Sequence, residues 1–290
     1  MQICHLIFFE KNFRFGIAFI KVLIILYRNT TRYCGLHPFV TTIPLLPAQM
    51  NADSRFGLQK LTLLDYPGKV ACTIFLHGCN FRCPFCHNAS LVVVPQDQSA
   101  MISLDELKDF LSKRGKILDG ACITGGEPMM RPDLTELLEL LRSYKLLIKL
   151  DTNGSFPDRL QHVVERRLVD AVAMDVKNTW AKYDETTGVT GMAERVAESA
   201  AYLKTAPLDY YELRTTVVRQ FHTVDDLAEL AREHAGAGHY FLQKFKDSGD
   251  LLGAGLSAMP DDEMERALEA VREFIPNAHL RGVETNETDS

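Results

Sequence analysis

The chain has 290 residues, 46% of them apolar and 24% charged, with a net charge of −6. That length builds one sizeable buried core, and the acidic balance argues against a nucleic-acid or anionic-membrane partner. Seven cysteines, three of them crowded between positions 79 and 86, suit a reducing cytoplasm and ligand chemistry better than a disulfide framework.

Residues 1–49 differ from everything after them. They carry Lys11, Arg14, Lys21, Arg28 and Arg32 against Glu10 alone, a local charge of +4. The apolar run Phe15 to Tyr27 is too short to span a bilayer and is interrupted by Lys21. No small-residue cleavage site follows it cleanly, and the segment lacks the serines of a transit peptide. The polar start Met50-Asn51-Ala52-Asp53-Ser54 looks like an ordinary cytoplasmic N-terminus. Residues 1–49 are therefore expected to lie outside the functional fold, as from an upstream start codon, with a membrane anchor as the alternative. The working domain is expected over residues 50–290.

From Lys69 the chain alternates strand and helix. Val70 to Leu76 is β-branched and apolar, a buried strand that delivers the cysteine loop. Ser103-Leu104-Asp105-Glu106 is a capping box, opening a helix with Leu104, Leu107 and Leu111 on one face. Strands follow at 121–124, 147–150, 171–174, 211–218 and 240–242. Helices separate them: from Pro132, from Pro157 to Leu168, from Met192 to Leu203, and after the cap at Thr223, with a last one around Met264 to Val271. Six βα units in succession predict an α/β fold with a parallel sheet and right-handed crossovers. Six rather than eight predicts an incomplete, curved (βα)6 version of the (βα)8 barrel, with its functional groups at the C-terminal strand ends.

Those ends carry unusual residues. The second strand finishes in Thr124-Gly125-Gly126-Glu127-Pro128, the third in Asp151-Thr152-Asn153-Gly154 and the fourth in Met174-Asp175-Val176-Lys177. Glycines let a ligand lie against backbone. Glu127 is suited to accept from an ammonium and Lys177 to meet a carboxylate, so this rim offers both charges that an amino-acid ligand needs. Arg214, a charge within a strand, needs a partner: either a ligand in the barrel or a structural ion pair. Gln243, near the end of the sixth strand, is a candidate ribose contact.

The loop after the first strand reads His77-Gly78-Cys79-Asn80-Phe81-Arg82-Cys83-Pro84-Phe85-Cys86-His87. Three thiolates spaced x3 then x2 suit three irons of a cubane cluster, leaving the fourth iron for an exogenous ligand. A zinc site completed by His77 or His87, or three unconnected core thiols, are the alternatives. Cys72 and Cys122 lie inside strands and read as inert core thiols; Cys4 and Cys34 belong to the extension. His222, beside a helix cap, and His239, at the wrong end of its strand, read as surface or structural.

Cys79-x3-Cys83-x2-Cys86, with Phe85 before the last cysteine, resembles the signature of radical S-adenosylmethionine (SAM) enzymes. Gly57-Leu58-Gln59-Lys60, Asp65-Tyr66-Pro67-Gly68-Lys69 and Gly78 to Pro84 look like the glycyl-radical activase branch, and within it the activating proteins of anaerobic ribonucleoside-triphosphate reductase. The resemblance runs from about Phe56 to the C-terminus. It implies a 4Fe-4S cluster on Cys79, Cys83 and Cys86, with SAM as the second cofactor. By the same resemblance, Gly126 and Glu127 meet the methionine amino group, Phe85 lies near the adenine, and Asp175 and Lys177 help hold SAM. Asp151 and Thr152, with Met174 and Asp175, look like a monovalent-cation site. The implied partner is a glycyl-radical enzyme, with flavodoxin or ferredoxin as reductant, and no nucleic acid or membrane. Activases of pyruvate formate-lyase place a histidine late in the barrel where this chain has Leu242-Gln243-Lys244-Phe245, which favours the reductase. A small-molecule radical SAM enzyme and a non-catalytic metal or electron-transfer protein are the remaining readings.

Overall fold

The computed structural model describes residues 50, 53–93 and 97–283. The extension 1–49, with Cys4 and Cys34, lies outside the described residues. In chain order the elements are β1 (Arg55–Thr62), β2 (Ala71–Leu76), α1 (Ala89–Val92), β3 (Ile102–Ser103), α2 (Leu104–Arg114), β4 (Gly120–Gly125), α3 (Leu134–Ser143) and β5 (Leu147–Thr152). They continue with α4 (Pro157–Glu165), β6 (Ala171–Asp175), α5 (Tyr183–Thr187), α6 (Ala193–Leu203), β7 (Tyr210–Val217), α7 (Val224–Glu233), β8 (Tyr240–Lys244), α8 (Asp261–Arg272) and β9 (Ala278–Arg281).

One nine-stranded sheet holds them in the order β3-β1-β2-β4-β5-β6-β7-β8-β9. From β2 to β9 every neighbouring pair is parallel, while β1 is antiparallel to both β2 and β3. The sheet ends in two edges, β3 and β9, and so is open, as the incomplete (βα)6 barrel requires. The six expected strands are β2, β4, β5, β6, β7 and β8, in that spatial order. Their apolar runs are buried, as parallel strands covered on both faces are. The helices face them with leucine stripes, such as Leu134, Leu137, Leu138 and Leu141 of α3. Both expected N-caps are complete capping boxes, Ser103 with Glu106 and Thr223 with Asp226.

The differences lie where apolar patterning is weak. β1, β3 and β9 have no uninterrupted apolar run, and hydrogen bonding to a neighbour defines them. α4 stops at Glu165, short of Leu168, because Arg167 turns into the left-handed region at φ 55°. The short helix α5 is an addition to the expected pattern, and it packs where the cysteine loop needs support.

Candidate functional site

The cysteine loop leaves β2 and is held by its backbone. Gly78 N–H donates to Leu91 O at 2.8 Å, Cys79 N–H to Val92 O at 3.0 Å and Arg82 N–H to Thr187 O at 2.8 Å. The Arg82 guanidinium caps the carbonyls of Cys79 and Phe81 at 2.6 and 2.7 Å. Asn80 links the loop to the end of β5, donating to Ser155 Oγ and accepting from Asn153 Nδ2, both at 2.9 Å. With the backbone thus anchored, the side chains of Cys79, Cys83 and Cys86 all face one cavity of about 250 Å³.

Burial pushes the Cys79 thiol up to about 11 and the Cys83 thiol up to about 12. Bare thiolates are costly here, so deprotonation needs a bound cation to stabilise it. The Tyr183 hydroxyl, wholly buried, lies within electrostatic reach of Cys83 and of the Lys177 backbone. Among the described residues no three His, Cys, Asp or Glu side chains converge on a single-ion position, while the three cysteines line one cavity. His87 lines that cavity, stacked edge-on to Phe245, and His77 does not line it. The donor set therefore fits a 4Fe-4S cluster on the three thiolates.

The opposite wall comes from the strand ends. Gly125, Gly126, Asp151, Asn153, Asp175, Lys177, Arg214 and Gln243 line the same cavity as the cysteines and Phe85. Residues from five strands and one loop thus converge, and of the expected set Glu127 and Met174 do not line it. The Glu127 carboxylate is fully buried and is held by the protein: Oε1 accepts from Met129 N–H at 2.9 Å and Thr152 Oγ1 at 2.8 Å, and Oε2 from Asn153 N–H at 2.6 Å. Through these bonds Glu127 ties the end of β4 to the end of β5. Burial pushes its pKa up to about 7, against the pull of those donors.

The paired glycines line the cavity and also lie tight against their neighbours. A Cβ on Gly125 would fall 2.3 Å from Leu76 O, and one on Gly126 would fall 2.1 Å from Gly78 O. Closeness to the end of β2 and to the cysteine loop forbids a side chain there.

Below the rim is an ion network. Arg214 Nε donates to Asp175 Oδ1 at 2.8 Å and its Nη1 to Asp151 Oδ2 at 3.3 Å. Lys177 Nζ donates to Asp175 Oδ2 at 3.1 Å, and Lys149 Nζ pairs with Asp151 Oδ1. These cations hold the Asp175 carboxyl well below the usual range and that of Asp151 below it, against burial, which alone would raise both. Arg214 is therefore both cavity wall and ion pair. Each of the four carboxylate oxygens faces a protein cation, and the Thr152 hydroxyl donates to Glu127. No oxygen of Asp151 or Asp175 is thus without a protein cation beside it.

Sequence reasoning missed Lys149, although a charge two positions before Asp151 in a buried strand shares its face. It missed Thr216, which lines the cavity two residues after Arg214. It also missed the work of His222. Val218 N–H donates to Nδ1 at 3.1 Å, leaving Nε2–H to donate to Lys177 O at 2.8 Å, which anchors the backbone of Lys177. Cys72 and Cys122 are buried, protonated core thiols.

The sequence model of the radical SAM superfamily matches residues 73–234. A protein of Methanocaldococcus jannaschii named as a glycyl-radical enzyme activating enzyme is 28% identical over 235 residues, 78% of this chain and 95% of that one. A protein of the same name from Haemophilus influenzae is 25% identical over 68% of this chain and 84% of that one. An AdoMet-dependent heme synthase of Methanosarcina barkeri is 29% identical over 60% of this chain, which spans only half of that protein. Among solved structures, SuiB of Streptococcus suis bound to S-adenosylmethionine has the same fold, at 14% identity and a TM-score of 0.56. The match covers 72% of this chain and 52% of SuiB. No helix among the described residues is long and apolar enough to cross a membrane.

Proposed function

The chain belongs to the radical SAM superfamily, whose members use a 4Fe-4S cluster and SAM, and we propose that it activates a glycyl-radical enzyme, specifically an anaerobic ribonucleoside-triphosphate reductase. When bound, cluster and SAM together supply one-electron cleavage of SAM to methionine and a 5′-deoxyadenosyl radical, which takes a hydrogen atom from a glycine Cα of the partner. Cys79, Cys83 and Cys86 would hold the cluster. Lys177, between Asp175 and the cysteine wall, would meet the methionine carboxylate, and the Gly125-Gly126 backbone would border the methionine end. Phe85, packed against Phe221 at 5.6 Å, would give the adenine an apolar wall. Gln243 would contact the ribose. Glu127 and His222 act one step back, fixing the strand ends that carry Asn153 and Lys177.

The observation that carries this reading is the near full-length match to the Methanocaldococcus jannaschii protein. The relatives named for other chemistry that are described above match over about half their length, so further parts of those proteins have no counterpart in the match. The narrower choice of reductase rests on the stretch Leu242-Gln243-Lys244-Phe245, late in the barrel, where a pyruvate formate-lyase activase would place a histidine. A flavodoxin or ferredoxin would supply the electron.

The test is electron paramagnetic resonance of reconstituted protein mixed with SAM, reductant and a recombinant glycyl-radical enzyme. A glycyl doublet on the anaerobic reductase, and none on pyruvate formate-lyase, is the expected result. SAM cleavage with no glycyl radical on either protein would overturn the activase reading and leave a small-molecule substrate. A doublet on pyruvate formate-lyase alone would overturn the choice of partner.

A further inference from the structure

Asp151 and Asp175 stand at the ends of adjacent strands, bridged by one guanidinium, and like charges so close raise each other's cost of ionisation. An arrangement of this kind calls for cations, and the chain supplies three of its own. Arg214 takes one oxygen of each carboxylate, Lys177 takes the second oxygen of Asp175, and Lys149 takes the second oxygen of Asp151. Lys149 is the unusual member. It shares a face of β5 with Asp151, 3% exposed, with Nζ also 4.0 Å from the Cys122 sulfur. A lysine pays a large desolvation cost to sit there unless its charge is needed. An added Na⁺ or K⁺ would meet no oxygen of Asp151 or Asp175 that lacks a protein cation beside it.

We propose that Lys149 is a built-in counter-ion of the SAM cavity, so that this chain binds SAM without any free monovalent cation. The ammonium stands where a solvent cation would otherwise be recruited, and it fixes Asp151 in the conformation that receives Arg214. The inference rests on SAM occupying this cavity.

The test measures SAM dissociation constants of the reconstituted holoenzyme by equilibrium dialysis in sodium, potassium or tetramethylammonium chloride at one ionic strength. Wild type should vary less than about twofold among the three salts. Lys149→Met keeps the unbranched stem and removes the charge; its SAM affinity should fall about tenfold in tetramethylammonium and recover in sodium or potassium. Lys149→Arg should behave as wild type. A tenfold loss of wild-type affinity in tetramethylammonium would overturn the proposal, as would a Lys149→Met protein whose affinity ignores the salt. Should Lys149→Met fail to fold, the wild-type and Lys149→Arg salt series decide by the same criterion. Absence of SAM binding in every salt would instead contradict the assignment of SAM to the cavity.

Discussion

The two walls of the cavity solve opposite problems. On the cysteine wall the backbone is anchored by hydrogen bonds, and burial outweighs the nearby Lys177 charge, pushing two of the thiols up to about 11 and 12. On the strand-end wall the side chains are committed to one another: every oxygen of Asp151 and Asp175 has a nitrogen, and Glu127 is held by three donors. One wall is unfinished until a cluster completes it. The other is finished in advance, and so presents SAM with a preset arrangement of charge.

The largest effect should come from the unfinished wall. Cys83→Ala should lower iron from about four per chain to near zero after anaerobic reconstitution, measured by iron analysis and visible absorption, with folding retained by circular dichroism. A tightly bound zinc in wild type, with no absorption in the visible, would break the contrast between the walls.

On the other wall Arg214→Met should cost stability rather than iron. Breaking a buried pair costs roughly 3–5 kcal/mol, and the lower end applies because each carboxylate keeps a lysine. Thermal melting should fall by roughly 6–12 °C for a domain of this size. An unchanged melting point would mean the network is not preformed.

The pH dependence isolates Glu127. Its folded pKa of about 7 lies above its ordinary value of 4.5. The stabilisation from binding that proton is therefore complete below pH 4.5 and lost as pH rises to 7, about 3 kcal/mol in all. His222 and His234, whose pKa values burial lowers, titrate with the opposite sign. The difference between wild type and Glu127→Gln in urea unfolding from pH 4.5 to 7.5 removes them. That difference should shrink as pH rises; a constant difference would mean Glu127 is ionised throughout.

Lys177→Ala should give the smallest change in stability and a selective one in binding. Arg214 still covers Asp175, and lysine offers no ligand to iron. Losing one charge-assisted bond of about 1.5–3 kcal/mol should weaken SAM roughly tenfold to a hundredfold, with iron content near wild type. Equilibrium dialysis and iron analysis on the same preparation check both parts. Unchanged SAM binding would place the methionine carboxylate elsewhere.

The cysteine wall is legible in the sequence because its donors fall within one short loop, where spacing alone sets geometry. The strand-end wall is half legible. The period of βα units brings Gly125, Asp151, Asp175, Arg214 and Gln243 to one rim, and all of them line the cavity. What their side chains face is not written locally. Arg214 meets Asp151 across 63 positions, and Glu127 accepts from Asn153 N–H, 26 residues on. β1, β3 and β9 escape notice for a related reason: strands whose apolar pattern is broken by polar residues exist through their pairing.

One measurement tests most directly whether the two walls enclose a single site: the electron paramagnetic resonance spectrum of the reduced, reconstituted protein titrated with SAM. The account predicts a cluster signal whose shape changes as SAM is added, saturating at one SAM per chain, with roughly tenfold to a hundredfold more SAM needed in Lys177→Ala. A cluster signal that SAM leaves unaltered at saturation would contradict it, because the cluster and the charged wall would then serve separate sites.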